Sequence, residues 1–167
     1  MPPDRNTPTG TSATRWARTL SRSASPTLRR KASSTAVAGT LEAYAWFLIL
    51  FLWQFPHFYA IAWMYRGDYA RAGIRMLPVV DPTGSATFGQ IIFISAILVP
   101  VSLLPAVIGL AGSSYFFGAF VIGLLLLEAS LWASRSRTSL RAKWLMHATV
   151  AYIPLLLGLL MFDKVVK

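Results

Sequence analysis

The chain has no cysteine and only two histidines, His57 and His147. The first absence excludes disulfides, thiolate nucleophiles and cysteine-ligated zinc. The second leaves too few imidazoles for a multi-histidine metal site within the chain. Acids are scarce as well, six Asp and Glu against sixteen Lys and Arg, and there is a single asparagine, Asn6. Charged residues make up 13% of the 167, about half the ~25% of an ordinary soluble domain. What takes their place is apolar: 55% of the residues are hydrophobic and the mean hydropathy is +0.54. These residues come in long blocks, so lipid rather than water is the expected solvent.

The net charge is +10, and a basic chain can address nucleic acid or anionic lipid. No nucleic-acid-binding motif appears, so no nucleic-acid partner is expected, and the loop charges are read as setting membrane orientation. Residues 1–40 stand apart. Ser, Thr and Arg make up 20 of these 40, four more are Pro, and seven Lys/Arg face one acid, Asp4. No periodicity is visible, which predicts disorder over residues 1–38. An Arg- and Ser-rich, acid-poor stretch also has the composition of a mitochondrial presequence.

Four apolar blocks follow, predicting helices over about 43–65, 86–110, 114–133 and 144–162. Each approaches the ~20 residues that a helix needs to cross ~30 Å of hydrocarbon. The blocks are continuous rather than alternating, which excludes barrel strands. The fold class is therefore an all-α integral membrane protein with four transmembrane helices. Tyr44, Trp46, Trp63, Tyr65, Tyr115, Trp132 and Trp144 lie near block ends and are read as an interfacial belt. Prolines 100 and 105 are expected to break the second helix and Pro154 the fourth. The first connecting loop carries Arg66, Arg71 and Arg75, the third carries Arg135, Arg137, Arg141 and Lys143, and Ala111-Gly112-Ser113 is uncharged. The positive-inside rule places the first and third loops in the cytoplasm and the C-terminus outside. Alternation then puts the basic residues 1–40 outside, which conflicts with their charge.

Asp68 is the leading candidate for chemistry. It stands just past the first span, beside Arg66, Arg71 and Arg75. Magnesium takes one or two carboxylates plus phosphate oxygens, and guanidinium groups grip a diphosphate by charge-assisted hydrogen bonds. The bland alternative is an ion pair with an arginine on a wet loop. His57 follows Pro56 deep in the first span. Gln54, His57, Ile61, Met64 and Asp68 follow 3,4 spacing, so one helix face is expected to carry them all, with His57 ~16 Å below Asp68. A polar residue inside a span faces the bundle interior, for function or for packing, and both readings stay open for His57. Glu128 is read as structural, His147 as interfacial, and Asp81-Pro82-Thr83-Gly84 as a turn that starts the second helix.

The run Trp53-Gln54-Phe55-Pro56-His57-Phe58, then Ala62-Trp63, Tyr65-Arg66-Gly67-Asp68-Tyr69-Ala70-Arg71-Ala72-Gly73 and Met76-Leu77-Pro78-Val79-Val80 resembles the C-terminal half of the protoheme IX farnesyltransferases, a branch of the UbiA family of intramembrane prenyltransferases. The resemblance covers about residues 39–163. It implies a nine-helix bundle, of which this chain would supply the last four. It implies transfer of a farnesyl group from farnesyl diphosphate to a vinyl group of protoheme IX (heme b), giving heme O, with Mg²⁺ drawing the diphosphate away. On this resemblance Asp68 is a metal ligand and catalytic residue with Tyr65 and Tyr69 beside it. Arg66, Arg71 and Arg75 contact diphosphate, Gln54 lies on the heme side, and His57 is a heme-side residue that serves as an axial ligand or as a proton carrier. The implied setting is the plasma membrane, or the mitochondrial inner membrane in a eukaryote, with heme A synthase or terminal-oxidase assembly as neighbours.

Two departures from the family stand out. Position 72, four after Asp68, is Ala rather than a second Asp, and the family's first motif, Asn-x-x-x-Asp-x-x-x-Asp, is missing. Together with the charge conflict they lead to the expectation that the chain is an incomplete, inactive product with residues 1–38 out of frame. A quinone-pathway prenyltransferase and a non-catalytic membrane or transporter fragment are the competing functions.

Overall fold

A computed structural model of the protein describes residues 26–166. Contacts divide the chain after Thr40, and the bundle is formed by described residues from Leu41 onward. The helices are α1 (Pro26–Met64), α2 (Arg66–Arg71), α3 (Leu77–Val80), α4 (Ser85–Ser102), α5 (Leu104–Val107), α6 (Ser113–Ser136) and α7 (Ser139–Val166). No strand occurs among the described residues. Among the described residues, four stretches are long and apolar enough to cross a membrane: Ser33–Met64, Ser85–Val107, Ser113–Ser136 and Ser139–Lys164. They reproduce the four expected spans, with the first extended at its front.

That extension is the main difference from the sequence reading. Residues 26–38, assigned there to a disordered segment, are helical; residues 1–25 of that segment lie outside the described residues. After Pro26, residues 27–38 hold three alanines and three basic residues, and Gly39 follows them. Ala, Arg and Lys are strong helix formers. Ser34 and Thr35 turn their hydroxyls back onto the Lys31 carbonyl, and Thr40 onto that of Ala36, a bond these side chains make inside helices.

The bundle is built around α6, which packs along both α4 and α7. Small residues set that packing: Ala119, Gly123 and Ala133 on α6 and Ala142 on α7 are buried. A Cβ added at Gly123 would stand 3.3 Å from the Val99 backbone, so glycine lets α4 and α6 approach closely. Between the same helices the hydroxyls of Ser95 and Ser130 bond at 2.9 Å, out of reach of solvent. Tyr115, Tyr152, Phe88, Ile49, Ile91 and Leu98 fill the rest of the core. Outside, Phe47, Phe93, Phe117, Leu125, Leu155 and Met161 are exposed, a surface that lipid covers at no cost and water does not.

Prolines act unequally. Pro100 and Pro105 end α4 and open α5, as expected, with Leu103 between them donating to the Pro100 carbonyl. The break leaves the Ser102 carbonyl to the Tyr115 hydroxyl, at 3.0 Å. Pro154, expected to break the fourth span, instead sits inside the continuous α7, and Pro56 inside the continuous α1. A single proline removes one intrahelical bond, and a membrane helix carries it when neighbours support the turn. The expected aromatic belt also needs correction at two places: Trp63 and Tyr115 are buried, while Tyr44, Tyr65, Trp132 and Trp144 are exposed as a belt requires.

The far end of the bundle is closed by Asp163, which the sequence reading passed over. It is 4% exposed and accepts hydrogen bonds from the Gly112 and Tyr115 amides at the start of α6. A carboxylate at a helix N-terminus satisfies orphan N–H groups and meets the positive end of the dipole. Asp163→Ala is expected to lower stability by about 1–2 kcal/mol, with Asp163→Asn retaining most of it. Unfolding in mixed micelles by denaturing detergent measures both.

Candidate functional site

The opposite end of the bundle gathers the polar loops, and Trp63 organises it. Its ring is buried against Phe88, edge-on at 5.2 Å, and its indole N–H donates to the Arg137 carbonyl at 2.9 Å. Arg137 takes a left-handed conformation at the end of α6 (φ 43°) and reaches back to the Thr83 carbonyl at 2.9 Å. A non-glycine residue at positive φ is strained, and these two bonds are what hold it. Gly84 also has positive φ, 74°, and a Cβ there would collide with the Trp63 ring. The first and third loops therefore meet at one end, as the charge pattern led us to expect.

The Asp81-Pro82-Thr83-Gly84 turn is formed as expected, closed by the Gly84 amide on the Asp81 carbonyl. The Asp81 carboxylate accepts the Thr87 amide at 2.9 Å and the Thr83 hydroxyl at 2.9 Å. The Thr87 amide holds its pKa below the ordinary 3.8, and the threonine hydroxyls add to this. Asp81 is thus occupied in capping α4 rather than aimed at a ligand.

Asp68 lies on α2, after a turn at Tyr65 that ends α1. The expected common face therefore holds from Gln54 through Met64 and stops there; Asp68 belongs to a separate short helix. Its carboxylate pairs with Arg71, and the two side chains are 59% and 81% exposed. That is the geometry of the bland alternative, a wet ion pair contributing ~0–1 kcal/mol, and a pair that opens at little cost. Arg66 lies over the Trp63 ring at 4.0 Å, an arrangement that leaves the in-plane N–H donors of the guanidinium available. Arg75 is exposed and makes no hydrogen bond or ion pair among the described residues. Tyr65 is exposed and Tyr69 half-buried. The structure thus places Asp68, Arg71, Arg66, Tyr65 and Tyr69 on one short stretch and brings only Asp68 and Arg71 into contact.

Among the described residues, no three His, Cys, Asp or Glu side chains stand together as a metal site. Asp68 offers one accessible carboxylate. Magnesium held between a carboxylate and a diphosphate needs one or two such ligands, so the donor set fits a share in such a site and not a self-contained one.

His57 is drawn elsewhere. Its Nδ1 lies 2.9 Å from the Thr149 hydroxyl on α7, and its ring stacks on Trp53 at 5.1 Å. Trp53 donates to the Thr149 carbonyl at 2.6 Å. Thr149 is a partner the sequence did not suggest, since it stands 92 residues from His57. Gln54 is half-buried on the same helix. Glu128 is exposed with a loose pair to Arg135 at 3.8 Å, and His147 bonds the Lys143 carbonyl, so neither joins the site.

The apolar four-span bundle, with an Asp/Arg loop where its first span ends, is that of a multi-pass membrane protein. The profile of the UbiA prenyltransferase family matches residues 32–160, and the chain belongs to that family. The match begins ahead of the expected residue 39. Among curated relatives, the chain is 50% identical over 131 residues to the protoheme IX farnesyltransferase of Solibacter usitatus, covering 77% of this chain and 45% of that protein. Identity is 45% over 141 residues to the protein of the same name from Koribacter versatilis, covering 79% and 46%. It is 47% over 131 residues to that of Salinibacter ruber, covering 77% and 46%. The chain spans about half the length of the curated relatives it matches. No solved structure matches.

Because the folded Asp81 carboxyl sits below its ordinary value, its contribution to stability is complete above pH ~3.8 and is lost as pH falls through the lower folded value. Amide-exchange protection at Thr87 is expected to drop over that acid range and, in Asp81→Asn, to be weaker and independent of pH there.

Proposed function

We propose that this chain provides the second Asp motif and the heme-facing helix of a protoheme IX farnesyltransferase, which makes heme O. The observation that carries the reading is 50% identity over 131 residues to a protein of that name. The Trp53–Phe58 and Tyr65–Gly73 runs support it.

In the proposed reaction the bond between the farnesyl C1 and the diphosphate oxygen breaks, and the electron pair leaves with the diphosphate. The vinyl group of heme b supplies the electrons for the new carbon–carbon bond. Water then adds to the resulting cation and releases a proton, leaving a hydroxyethylfarnesyl chain. Mg²⁺, when bound, supplies positive charge to the departing diphosphate. Asp68 is the residue of this chain that would hold it. Arg71 releases Asp68 and turns to the diphosphate, Arg66 donates from the edge of its stacked guanidinium, and Arg75 adds unpaired positive charge. Tyr65 and Tyr69, beside the acid in the sequence, would offer their hydroxyls to phosphate oxygens. The spans keep the farnesyl chain out of water, which protects an allylic cation from early capture.

The same reading puts the two basic loops on the cytoplasmic side of the plasma membrane and the C-terminus on the other. Heme O would pass from there to heme A synthase or to terminal-oxidase assembly.

The test is a chimera in which residues 41–163 replace the corresponding half of the Solibacter relative. It is expected to form heme O, and Asp68→Asn within it to reduce formation by about 100-fold or more with membrane insertion unchanged. Heme extraction and chromatography read the product; full activity in Asp68→Asn removes the acid from the mechanism.

A further inference from the structure

One polar junction inside the bundle has more order than packing requires. His57 and Trp53 lie one turn apart on α1, rings nearly parallel at 14°. Both are held by a single residue of α7. Trp53 donates its indole N–H to the Thr149 carbonyl, and His57 Nδ1 meets the Thr149 hydroxyl. The hydroxyl has a second neighbour, the Met146 carbonyl, at 2.6 Å.

Proton counting settles the direction of these bonds. A threonine hydroxyl has one proton, and a carbonyl oxygen has none. At 2.6 Å from Met146 O, two oxygens without a proton between them would repel. The Thr149 proton therefore lies on the line to Met146 O, and Thr149 Oγ1 presents a lone pair to His57. The bond at 2.9 Å then needs its proton from the ring, so Nδ1 carries N–H. In the neutral imidazole Nε2 is left with the lone pair. Nε2 makes no hydrogen bond among the described residues. It is also not sealed off: the one buried, unpartnered side-chain polar atom among them is the Tyr152 hydroxyl.

We propose that Thr149 is a positioning residue that holds His57 in its Nδ1–H tautomer, so that Nε2 presents a fixed lone pair to an electron-poor centre entering beside α1. Resting on the function proposed above, that centre is the iron of protoheme. Trp53 completes the clamp by fixing the plane of the ring. A histidine kept only for packing gains nothing from having its tautomer set and its ring plane fixed while one nitrogen stays open. A ligand histidine gains both orientation and basicity, and loss of such an outer partner typically lowers metal affinity 10–100-fold.

Two readouts on the 167-residue chain in lipid nanodiscs test this separately. The first is nitrogen NMR of ¹⁵N-histidine protein carrying His147→Gln, which leaves His57 as the sole histidine. We expect a protonated-type resonance at Nδ1 and an unprotonated one at Nε2, kept in Thr149→Ser and lost to a mixture or reversal in Thr149→Val. An Nε2–H tautomer or a doubly protonated ring in the unsubstituted Thr149 protein overturns the proposal whatever the variants do. The second is titration with ferric protoporphyrin IX, read by its Soret band. We expect Thr149→Val to weaken binding roughly 10-fold or more, Thr149→Ser to restore it, and His57→Ala to abolish the histidine-ligated spectrum. A tautomer that changes in Thr149→Val with no change in porphyrin affinity overturns the positioning role. The expected tautomer with an unaltered spectrum in His57→Ala overturns the assignment of iron as the centre, which is a failure of the heme reading rather than of the tautomer.

Discussion

Hydrocarbon offers no hydrogen bonds, so a polar group within the spans gains most from a partner in the protein, and among the described residues the Tyr152 hydroxyl is the one buried side-chain exception. That constraint explains most of the long-range contacts in this bundle. The Ser102 carbonyl, released where α4 breaks, takes the Tyr115 hydroxyl. The first amides of α6 take the Asp163 carboxylate. Ser95 and Ser130 take each other, and Trp53 and His57 both take Thr149. Each bond joins two helices that apolar contact alone would leave free to slide, since lipid tails are as apolar as the side chains they would replace.

The two ends of the bundle do different work. At one end Asp163 closes the α6–α7 contact with nothing left over. At the other, Trp63, Gly84 and Arg137 make a rigid floor of backbone bonds and ring contacts. On that floor stand residues that are not used up by the fold: Asp68 with an exposed pair, Arg66 on a ring face, and Arg75 without a partner among the described residues. A site for a charged headgroup at a membrane surface needs this combination, a fixed base and available charges.

The spans were legible because their signal is additive: each apolar block declares itself without reference to the others. The turn at Asp81–Gly84 was legible for a similar reason, since its chemistry is local. Three things were not. The front of α1 looked featureless because its Ser/Thr/Arg composition resembles disorder, whereas its alanines and basic residues favour a helix. Trp63 read as a belt residue because its position at a block end says nothing of the Phe88 ring and the Arg137 carbonyl that bury it. Asp163 and Thr149 carried no local motif at all; their roles come from partners 48 to 96 residues away. Asp68 stood out in the sequence by charge alone, as the one acid between Arg66 and Arg75. Its ion pair with Arg71 and the break at Tyr65 depend on how α1 ends, which periodicity did not disclose.

The central claim is that Asp68 shares a divalent ion with a diphosphate. Pulsed EPR of Mn²⁺ in place of Mg²⁺ tests it most directly, on the chimera bound to farnesyl diphosphate and labelled with ¹³C at aspartate carboxylates. The account predicts hyperfine coupling of manganese to diphosphate phosphorus and to carboxylate carbon, with part of the carbon coupling lost in Asp68→Asn. Phosphorus coupling with a carbon signal that Asp68→Asn leaves untouched would contradict it.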